Sequence, residues 1–467
     1  MTGGGAEKAE GTTIAALATA PLPAGLAVIR VSGPRTKTAL RALFRAKKDP
    51  IALRRTLVFG DLIDYRTSQV IDNALAVFMP GPHSFTGEDV AEFQFHGSPL
   101  LVQKILRSLF AFGVNPAEAG EFTLRAFLNG KMDLVQAEAV GELINATSEQ
   151  ALKIAGDHLK GRFSSALQEL GEPLRNCLAE LEASIDFPEE EIAPESRVTI
   201  RNSLCLVRDA SEEILRTYAY GHVVREGYKV LLCGRPNVGK SSLLNLFLKR
   251  ERAIVSSISG TTRDLIEEQA VLGGHRFVFC DSAGIRDTND EIEKIGVELA
   301  RDRISWADLV LMVVDASTPD DSWRPLADEL RKKGAKIWMV VNKIDANPSA
   351  IGTLFCDSSV CAQNFYISAR TSAGIDALTT ALVEEVVSSL PDSAHASNVL
   401  TNERQFTCLE RALQAVERAV DGLENKSPLE IVSDDVRQGL AALEEMVGKT
   451  YTEDILGRIF SKFCIGK

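Results

Sequence analysis

The chain has 467 residues, of which 45% are hydrophobic and 25% are charged, and these proportions are ordinary for a globular protein of two to four domains. No stretch approaches the roughly 18 unbroken apolar residues of a membrane span, and residues 1–11 lack the basic and apolar regions of a signal peptide. Eight scattered cysteines without a CxxC pair indicate neither a disulfide framework nor a zinc site, and they favour a cytoplasmic location. The net charge of −12 argues against broad nonspecific binding of nucleic acid, although it is compatible with a local basic cleft or with RNA binding assisted by a partner.

Strand-like apolar runs bounded by turn signals characterise residues 11–130, and Leu26–Val31 before Ser32-Gly33-Pro34 is one example. Beyond residue 132, apolar residues recur at helical spacing, which predicts long amphipathic helices. The residues with this spacing are Leu167, Leu170, Leu174, Leu178, Leu181 and Ile185 in one stretch, and Leu409, Leu413, Val416 and Val420 in another. Pro188 is expected to end the first of these helices.

Strand and helix patterns alternate from Tyr228 onwards. The apolar runs that predict buried parallel strands are Val230–Cys233, Phe277–Cys280, Leu309–Val314, Ile337–Val341 and Phe365–Ile367. Because helical stretches separate most of them, a doubly wound α/β domain is predicted here. We therefore predict a multidomain α/β plus all-α protein, with an N-terminal α+β domain (1–130), a helical domain (131–225 and 390–467) and an α/β domain inserted at 226–389.

A phosphate-binding loop, Gly234-Arg-Pro-Asn-Val-Gly-Lys-Ser241, follows a predicted strand and begins a helix. Its backbone N–H groups would surround the β-phosphate, the Lys240 ammonium would neutralise the β- and γ-phosphates, and the Ser241 hydroxyl would ligate Mg²⁺. The residues of this loop predicted to bind nucleotide are Asn237, Val238, Gly239, Lys240, Ser241 and Ser242. The alternative, a chance glycine-rich turn, is disfavoured by the flanking strand and helix.

Three further motifs, in the order expected of a Ras-like G domain, predict that the nucleotide is GTP. In Asp281-Ser282-Ala283-Gly284, Asp281 would hold Mg²⁺ through water and the Gly284 N–H would contact the γ-phosphate. In Asn342-Lys343-Ile344-Asp345, the Asp345 carboxylate can accept hydrogen bonds from guanine N1–H and the 2-amino group, which adenine lacks. Lys343 would cover the base, and Ser368-Ala369-Arg370 would supply a backbone contact to the guanine oxygen.

The group that positions the attacking water is left open by the motifs alone. Many Ras-like proteins place a glutamine directly after the DxxG glycine, but this chain has the apolar Ile285 there. The acidic residues that follow are Asp287, Asp290, Glu291 and Glu293, and each has the alternative of a solvated helix start. Thr262, with Thr261 as its adjacent competitor, is predicted to complete the Mg²⁺ shell and close over the γ-phosphate.

Asn-Val-Gly-Lys-Ser, Gly-Thr-Thr-Arg-Asp and Asn-Lys-Ile-Asp together resemble the Era/TrmE branch of bacterial GTPases. Flanking motifs narrow the resemblance to the MnmE (TrmE) family of tRNA modification GTPases, over residues 11–467. These motifs are Pro80-Gly-Pro-His-Ser-Phe-Thr-Gly-Glu-Asp89, Gly120-Glu-Phe-Thr-Leu-Arg-Ala-Phe-Leu-Asn-Gly-Lys131, Asp186-Phe-Pro-Glu-Glu190 and Phe463-Cys-Ile-Gly-Lys467.

The resemblance implies a homodimer whose G domains meet face to face across K⁺, which offsets charge as an arginine finger does elsewhere. The positions that match the family's K⁺ ligands are Asn237, Ser256, Ile258 and Thr261. The family's water-positioning glutamate falls on Glu293, and this resolves the choice among the four acidic residues. Ser282 stands where relatives usually have threonine, and the hydroxyl is kept.

The resemblance also implies a tetrahydrofolate site in the N-terminal domain, which the family uses for dimerisation as well. The matching positions are Arg30, Glu92, Lys131 and Lys467; a carboxylate suits the pterin N–H groups, and basic side chains suit the folate glutamate tail. The alternative for each residue alone is a surface ion pair. Cys464 is implied to have a catalytic or positioning role, against the alternative of a small buried apolar residue. The segment Ala20-Pro-Leu-Pro-Ala-Gly25 and the pair Glu118-Ala119 depart from the family pattern.

As a whole, the resemblance implies an enzyme that works with an FAD-dependent partner resembling MnmG and builds an aminomethyl-type substituent at C5 of the wobble uridine of certain tRNAs. Tetrahydrofolate would supply the one-carbon unit, and GTP hydrolysis would gate the chemistry through G-domain motion. One alternative is a regulatory switch that binds ribosomes or RNA, but such a switch needs neither a folate-like domain nor the C-terminal Cys-Ile-Gly-Lys. It would usually also carry a basic RNA-binding module, and none is apparent from the sequence pattern. A folate enzyme with a vestigial G domain is a second alternative, and the intact nucleotide motifs argue against it.

Overall fold

The structure is a computed structural model that describes residues 11–20, 23–186, 194–250, 267–281, 306–318, 321–352, 360–388 and 398–467. The chain divides into two compact units. The first unit comprises residues 1–141, 158–197 and 418–467, and the second comprises residues 142–157 and 198–417. The domain boundaries expected from the sequence stay a prediction.

The first unit contains a seven-stranded sheet in the order β3-β4-β5-β6-β2-β1-β7. Its strands are β1 Ile14–Leu17, β2 Ala24–Ser32, β3 Phe44–Ala46, β4 Val58–Ile63, β5 Val70–Met79, β6 Val90–Gly97 and β7 Asn115–Pro116. Neighbouring strands are antiparallel, except that β1 and β7 are parallel. Because side chains alternate between the two faces of a sheet, one face carries the apolar residues that form a core with helices α1 (Thr36–Leu43) and α2 (Pro99–Phe112).

Amphipathic helices of 8 to 25 residues complete the first unit, and the spacing of apolar residues predicts the longest of them. They are α3 Glu121–Leu128, the start of α4 Leu134–Asn145, α6 Arg162–Asp186, α13 Leu429–Val447 and α14 Glu453–Phe460. Helices α6 and α13 pack along each other, and Leu167, Leu174 and Leu181 of α6 are buried. Helices α3 and α14 pack through Phe127, Leu456 and Phe460. This last contact places the C-terminal segment beside the N-terminal sheet domain.

The second unit contains a six-stranded sheet in the order β13-β12-β11-β8-β10-β9. Its strands are β8 Tyr228–Cys233, β9 Glu267–Leu272, β10 His275–Asp281, β11 Leu309–Asp315, β12 Ile337–Asn342 and β13 Gln363–Tyr366. Five strands are parallel, and β9 runs antiparallel to β10 at the edge. Both faces carry apolar cores, which accounts for the unbroken apolar runs.

The helices described in the second unit include those that flank this sheet. They are α5 Glu149–Leu159, α7 Pro194–Arg216, α8 Tyr218–Glu226, α9 Lys240–Arg250, α10 Arg324–Lys332, α11 Ile375–Val387 and α12 Glu403–Glu424, with a short 3₁₀ helix at Pro348–Ala350. Within the described ranges, no helix has the length and apolar character of a membrane span. Cys361 is disulfide-bonded, which the scattered cysteines did not predict.

The predicted fold class is confirmed: an α+β N-terminal domain, long helices and a doubly wound P-loop domain occur in one chain. The five apolar runs predicted as parallel strands correspond to β8 and β10 to β13. The antiparallel strand β9 was not predicted. Pro188, which was expected to end α6, lies outside the described residues.

Candidate nucleotide-binding and folate sites

The phosphate loop lies between the end of β8 and the first residue of α9. Its two glycines have positive φ angles, 141° at Gly234 and 101° at Gly239. A Cβ atom at Gly234 would lie 2.2 Å from the Val313 carbonyl oxygen, and one at Gly239 would lie 2.2 Å from Asn342 Nδ2. Neighbouring strands therefore approach the loop so closely that only glycine fits at both positions.

Lys240, Ser241 and Asp281 come together at one end of this loop. Lys240 is 5% exposed, and its Nζ donates to the carbonyls of Gly234 (2.7 Å) and Arg235 (2.9 Å). Burial lowers the pKa of Lys240, and the nearby Asp281 carboxylate opposes that shift. Ser241 Oγ donates to Asp281 Oδ2 at 2.9 Å. A hydroxyl and a carboxylate oxygen at this distance are the hard ligands that suit Mg²⁺.

Asn342, at the end of β12, connects all three nucleotide motifs that the structure describes around it. Its Nδ2 donates to the Val238 carbonyl at 2.8 Å. Its Oδ1 accepts from the backbone N–H groups of Lys343 (2.8 Å) and Ala369 (3.0 Å). Because the Asn342 side chain is buried, these bonds fix the phosphate loop relative to the two base-binding loops.

Asp345 is exposed at the mouth of this site and is oriented by Ser368. Ser368 Oγ donates to Asp345 Oδ1 at 2.6 Å and accepts from the Thr371 N–H at 3.1 Å. The buried serine thus holds one carboxylate oxygen while the carboxylate itself faces outward. This arrangement suits a carboxylate that accepts from guanine. Arg370, in the same loop, is exposed.

Lys343 is anchored by a residue that the sequence interpretation missed, Asp315 at the end of β11. Lys343 Nζ donates to Asp315 Oδ2 at 2.6 Å and to the Asn237 carbonyl at 2.8 Å. Ser317 donates to the other Asp315 oxygen through its N–H (2.8 Å) and its hydroxyl (2.6 Å). Burial would raise the pKa of Asp315, but the hydrogen bonds from Lys343 and Ser317 outweigh burial and lower it. Strand pairing places Asp315 opposite Asn342.

The remaining predicted residues of the G domain lie outside the described residues. They are Ser256, Ile258, Thr261, Thr262, Ser282, Ala283, Gly284 and Glu293. Of the four predicted K⁺ ligands, the structure thus describes Asn237, which has a φ of 63°. The carbonyl of Asn237 is engaged by Lys343.

The predicted folate residues Arg30 and Glu92 lie opposite each other on neighbouring strands β2 and β6. Arg30 Nε donates to Glu92 Oε1 at 2.9 Å, and both side chains are 18% exposed. Arg30 and Glu92 therefore form an ion pair with each other, which was the alternative to folate binding for each residue alone. The Arg30 guanidinium also lies 5.6 Å from the ring centre of Phe85 and 5.7 Å from that of Phe122. Both side chains of the pair remain partly exposed beside the Phe85 ring. A planar heterocycle with N–H donors could therefore stack on the ring and donate to the carboxylate.

Lys131 lies against the loop that carries Phe85. Its Nζ donates to the Pro82 carbonyl at 3.0 Å, and Asn129 Nδ2 donates to the Thr86 carbonyl at 2.7 Å. Lys131 is exposed, so its ammonium can exchange the carbonyl for an anionic ligand group. Three of the four predicted folate residues thus surround one loop and its aromatic side chain.

Lys467 is held near the same residues through backbone contacts. The Phe122 N–H donates to the Lys467 backbone oxygen at 3.2 Å. Gly466 has a φ of 98°, and a Cβ there would lie 2.1 Å from the Leu17 carbonyl oxygen. Ile465 forms a β-bridge with Ala119. The tail therefore packs on β1 and on the start of α3, next to the Phe122 ring that contacts Arg30.

Cys464 is exposed and its thiol is free, so the alternative of a buried apolar cysteine is wrong. Phe463 is half-buried, and its ring lies 3.1 Å from where a Cβ at Gly141 would be. Ile465 is apolar, but its side chain is 66% exposed and does not anchor the tail. The tail is anchored instead by Phe463 and by the backbone of the last three residues.

Arg125, inside one of the quoted motifs, is a second residue whose role the sequence interpretation missed. Its side chain is 1% exposed and pairs with Glu88 (3.1 Å) and Glu121 (2.8 Å). It also donates to the Thr12 carbonyl at 2.8 Å. Because Glu88 ends the loop that carries Phe85, the buried guanidinium connects this loop to helix α3 and to Thr12, just before β1. A basic residue on the apolar side of an amphipathic helix is the sequence signal for such a role.

Replacing Asp345 with asparagine is expected to weaken GTP binding by roughly two orders of magnitude, because an amide cannot accept from both guanine donors. Calorimetry on the purified chain measures this change. Xanthine carries an oxygen in place of the 2-amino group, so the asparagine variant should bind xanthosine triphosphate better than the unmutated chain does. Unchanged GTP affinity in Asp345→Asn would contradict the assignment of the base pocket.

Replacing Asp315 with asparagine is expected to weaken nucleotide binding about 10-fold, because Lys343 loses a charge-assisted hydrogen bond. Since the pKa of Asp315 is lowered, its carboxylate should stay ionised at neutral pH. Its contribution to nucleotide affinity should therefore be lost only as the pH falls into the acid range. The matched control is Asp321→Asn, which removes an exposed ion pair to Arg324 in the same unit. Equal affinities for both variants would show that Asp315 does not position Lys343.

Comparison with known proteins adds family relationships to this geometry. The family model described as the TrmE N-terminus of a GTP-binding protein matches residues 13–131, and that of the MnmE helical domain matches residues 134–464. The tRNA modification GTPase MnmE of Moorella thermoacetica is 41% identical over 97% of this chain and 99% of that protein. MnmE of Geobacter sulfurreducens is 39% identical with the same coverage. The FeoB G domain of Methanococcus jannaschii is 26% identical over 34% of this chain and 97% of its own, with a TM-score of 0.26, which is too low to support an argument.

Asn342 joins the phosphate loop, the Asn-Lys-Ile-Asp motif and the Ser-Ala-Arg loop at one edge of the largely parallel sheet. This combination defines a guanine-nucleotide-binding GTPase of the P-loop class. Its enzyme class is therefore GTP hydrolase, as predicted. The full-length similarity is more specific than this class: the chain belongs to the MnmE family. The family resemblance seen in the sequence motifs is thereby confirmed.

Proposed function

We propose that this chain is a K⁺-stimulated, Mg²⁺-dependent GTPase that modifies the wobble uridine of certain tRNAs together with an FAD-dependent, MnmG-like partner. An aminomethyl or carboxymethylaminomethyl group would be installed at C5, with its one-carbon unit taken from a 5-formyl or methylene tetrahydrofolate. The observation that carries the proposal is the presence, in one chain, of the nucleotide site around Asn342 and the Arg30–Glu92 pair beside Phe85. Full-length relatives named tRNA modification GTPases support it.

In the nucleotide site, the described residues would bind and orient GTP. Lys240 would exchange its two loop carbonyls for the β- and γ-phosphates, and Asp345 would select guanine. Bound Mg²⁺, held through Ser241, Thr262 and an Asp281-bound water, would neutralise phosphate charge. Glu293 would position the attacking water, and Asn237, Ser256, Ile258 and Thr261 would hold K⁺ in a homodimer.

In the folate site, Glu92 would accept hydrogen bonds from the pterin, and Arg30 would keep that carboxylate oriented. Lys131 and Lys467 would bind the anionic tail of the folate. Cys464 is exposed beside these residues and would take a catalytic or positioning part. Movement of the G domains on GTP hydrolysis would gate access to this chemistry.

Hydrolysis is expected to be at least 10-fold faster in K⁺ than in Na⁺, because the charge that a bound cation offsets develops in the transition state. Na⁺ is smaller and should fit ligands spaced for K⁺ poorly. Asn237→Ala should abolish the difference, whereas the exposed Ser242→Ala should preserve it. Turnover of GTP in matched KCl and NaCl buffers measures this effect, and equal rates for the unmutated chain would rule the K⁺ mechanism out.

Reconstitution tests the proposed function as a whole. The purified chain is incubated with the FAD-dependent partner, GTP, methylene-tetrahydrofolate, glycine or ammonium, and unmodified tRNA. Mass spectrometry of the nucleosides should reveal a heavier wobble uridine that disappears when GTP or folate is omitted. Modification that proceeds equally without folate would refute the folate part, and modification without GTP would refute the gating by hydrolysis.

A further inference from the structure

A strongly basic segment interrupts an otherwise acidic chain at residues 41–55, which we call the basic loop. It carries six basic side chains, Arg41, Arg45, Lys47, Lys48, Arg54 and Arg55, and one acidic side chain, Asp49, whereas the whole chain has a net charge of −12. It includes the end of α1, strand β3 and the turn that leads into β4. The nucleotide and folate sites use none of these residues.

The basic loop has a defined backbone, so it presents its charges from a fixed surface. Asp49 accepts from the Ile51 N–H at 2.9 Å and lies 3.7 Å from the Arg41 guanidinium. Ile51 packs against the core of the N-terminal sheet. The Arg55 N–H donates to the Phe78 carbonyl at 2.8 Å, and its guanidinium donates to the His83 carbonyl. Both ends of the turn are thereby tied to the sheet domain.

The remaining cations of the basic loop point into solvent. Arg45, Lys47, Lys48 and Arg54 are exposed. The neighbouring strand carries an exposed aromatic ring, since Phe59, the second residue of β4, is 67% exposed. Phe59 and Arg45 project from the same face of the sheet, since Arg45 pairs in register with Asp61. The Asp61 carboxylate accepts from Asn73 Nδ2 at 2.6 Å.

We propose that the basic loop, with Phe59, is a docking surface for the phosphate backbone of tRNA; this rests on the proposed function. Fixed cations beside an exposed aromatic ring are the combination that binds RNA, since phosphates attract the cations and an unpaired base can stack on the ring. The net negative charge of the chain would repel RNA elsewhere and so confine contact to this surface. The basic loop belongs to the same sheet domain that carries Arg30 and Glu92.

Protection of a sheet edge is the competing explanation, because β3 is an edge strand and charged residues on edges prevent aggregation. Charge reversal separates the two explanations. Lys47→Glu with Lys48→Glu keeps the edge charged, and therefore protected, but removes the attraction for phosphate. The matched control is Lys332→Glu with Lys333→Glu, which reverses an adjacent, exposed lysine pair at the end of α10.

The test measures the affinity of the full chain for a fluorescently labelled, unmodified tRNA between about 50 and 200 mM KCl. Lys47→Glu/Lys48→Glu should weaken binding at least 10-fold and lower the slope of log affinity against log salt by about 2. The control pair should change neither quantity, and both variants should keep the melting temperature and GTP turnover of the unmutated chain. Phe59→Ala should weaken binding with little change in the slope.

Unchanged affinity in Lys47→Glu/Lys48→Glu, equal weakening in the control pair, or no tRNA binding by the unmutated chain would each overturn the proposal. Loss of binding to the FAD-dependent partner with intact tRNA affinity would assign the basic loop to a protein contact and would also overturn it. A chain that binds tRNA through the basic loop but leaves wobble uridine unmodified in reconstitution would refute the proposed function and not the docking surface.

Discussion

Replacing Glu293 with alanine is expected to lower kcat for GTP hydrolysis by about 10²–10⁴-fold while the affinity for GTP stays close to normal. A residue that orients water acts in the transition state, so its loss reduces turnover without removing a ground-state contact. Ile285 occupies the position where many relatives of Ras place a glutamine, and its apolar side chain cannot take over the role.

Single-turnover hydrolysis and equilibrium nucleotide binding on the same sample separate these two effects. Asp290→Ala and Glu291→Ala are the matched controls, because they remove neighbouring carboxylates and should leave turnover within a few-fold of normal. If Glu293→Ala hydrolyses GTP normally and one control does not, the water-positioning role belongs to that neighbour instead.

Removing residues 465–467 is expected to abolish tetrahydrofolate binding and tRNA modification while GTP hydrolysis remains K⁺-stimulated. In the structure, the tail pairs with Ala119, packs on Leu17 and accepts from the Phe122 N–H, and the Phe122 ring contacts Arg30. The described nucleotide motifs lie in the other unit, between residues 234 and 370. Loss of the tail should therefore affect the folate residues and leave the GTPase residues in place.

Folate titration and GTP turnover on one truncated sample test this expectation. Lys467→Ala is the conservative companion, since it keeps the backbone contacts of the tail and removes only the ammonium group. It should weaken folate binding by about 10-fold without abolishing it. Retained folate affinity in the truncated chain would refute the shared site, and a collapse of GTP turnover with an unchanged melting temperature would show a wider role for the tail.

The parallel strands of the second unit could be predicted from sequence because both of their faces are buried. Such strands appear as unbroken apolar runs, as in Leu309–Asp315 and Ile337–Asn342. Strand β9, with the sequence Glu267-Glu-Gln-Ala-Val-Leu272, lies at the sheet edge and has half of its residues polar. Its pattern is therefore weak, and the antiparallel pairing to β10 could not be inferred.

The nucleotide motifs could be located from sequence because each is a contiguous stretch with a defined chemical task. The role of Asp315 could not be located in this way. Its partner Lys343 is 28 residues away, and only the register of β11 and β12 brings the two residues together. Arg125 carries a sequence signal, as a basic residue on the apolar side of a helix, but its partner Glu88 is 37 residues away and could not be inferred. The basic loop was missed in the sequence interpretation, because the net charge of −12 describes the whole chain and does not reveal a local cluster of basic residues.

The tail illustrates how side-chain patterns mislead at a chain segment held by its backbone. Ile465 is apolar, yet its side chain is 66% exposed. Besides the half-buried Phe463, the contacts that hold the segment involve its backbone: a β-bridge at Ile465, the close approach of Gly466 to the Leu17 carbonyl, and a hydrogen bond from the Phe122 N–H to Lys467. Such contacts are hard to predict from residue types, because nearly every residue carries the same backbone hydrogen-bonding groups.

Nucleoside mass spectrometry of total tRNA from a strain that lacks this chain tests the central claim most directly. The account predicts that the C5 substituent of wobble uridine disappears and returns with the unmutated chain, but not with Glu293→Ala or with the chain truncated after Cys464. The regulatory-switch alternative predicts normal tRNA. Unchanged wobble uridine in the deletion strain would contradict the account.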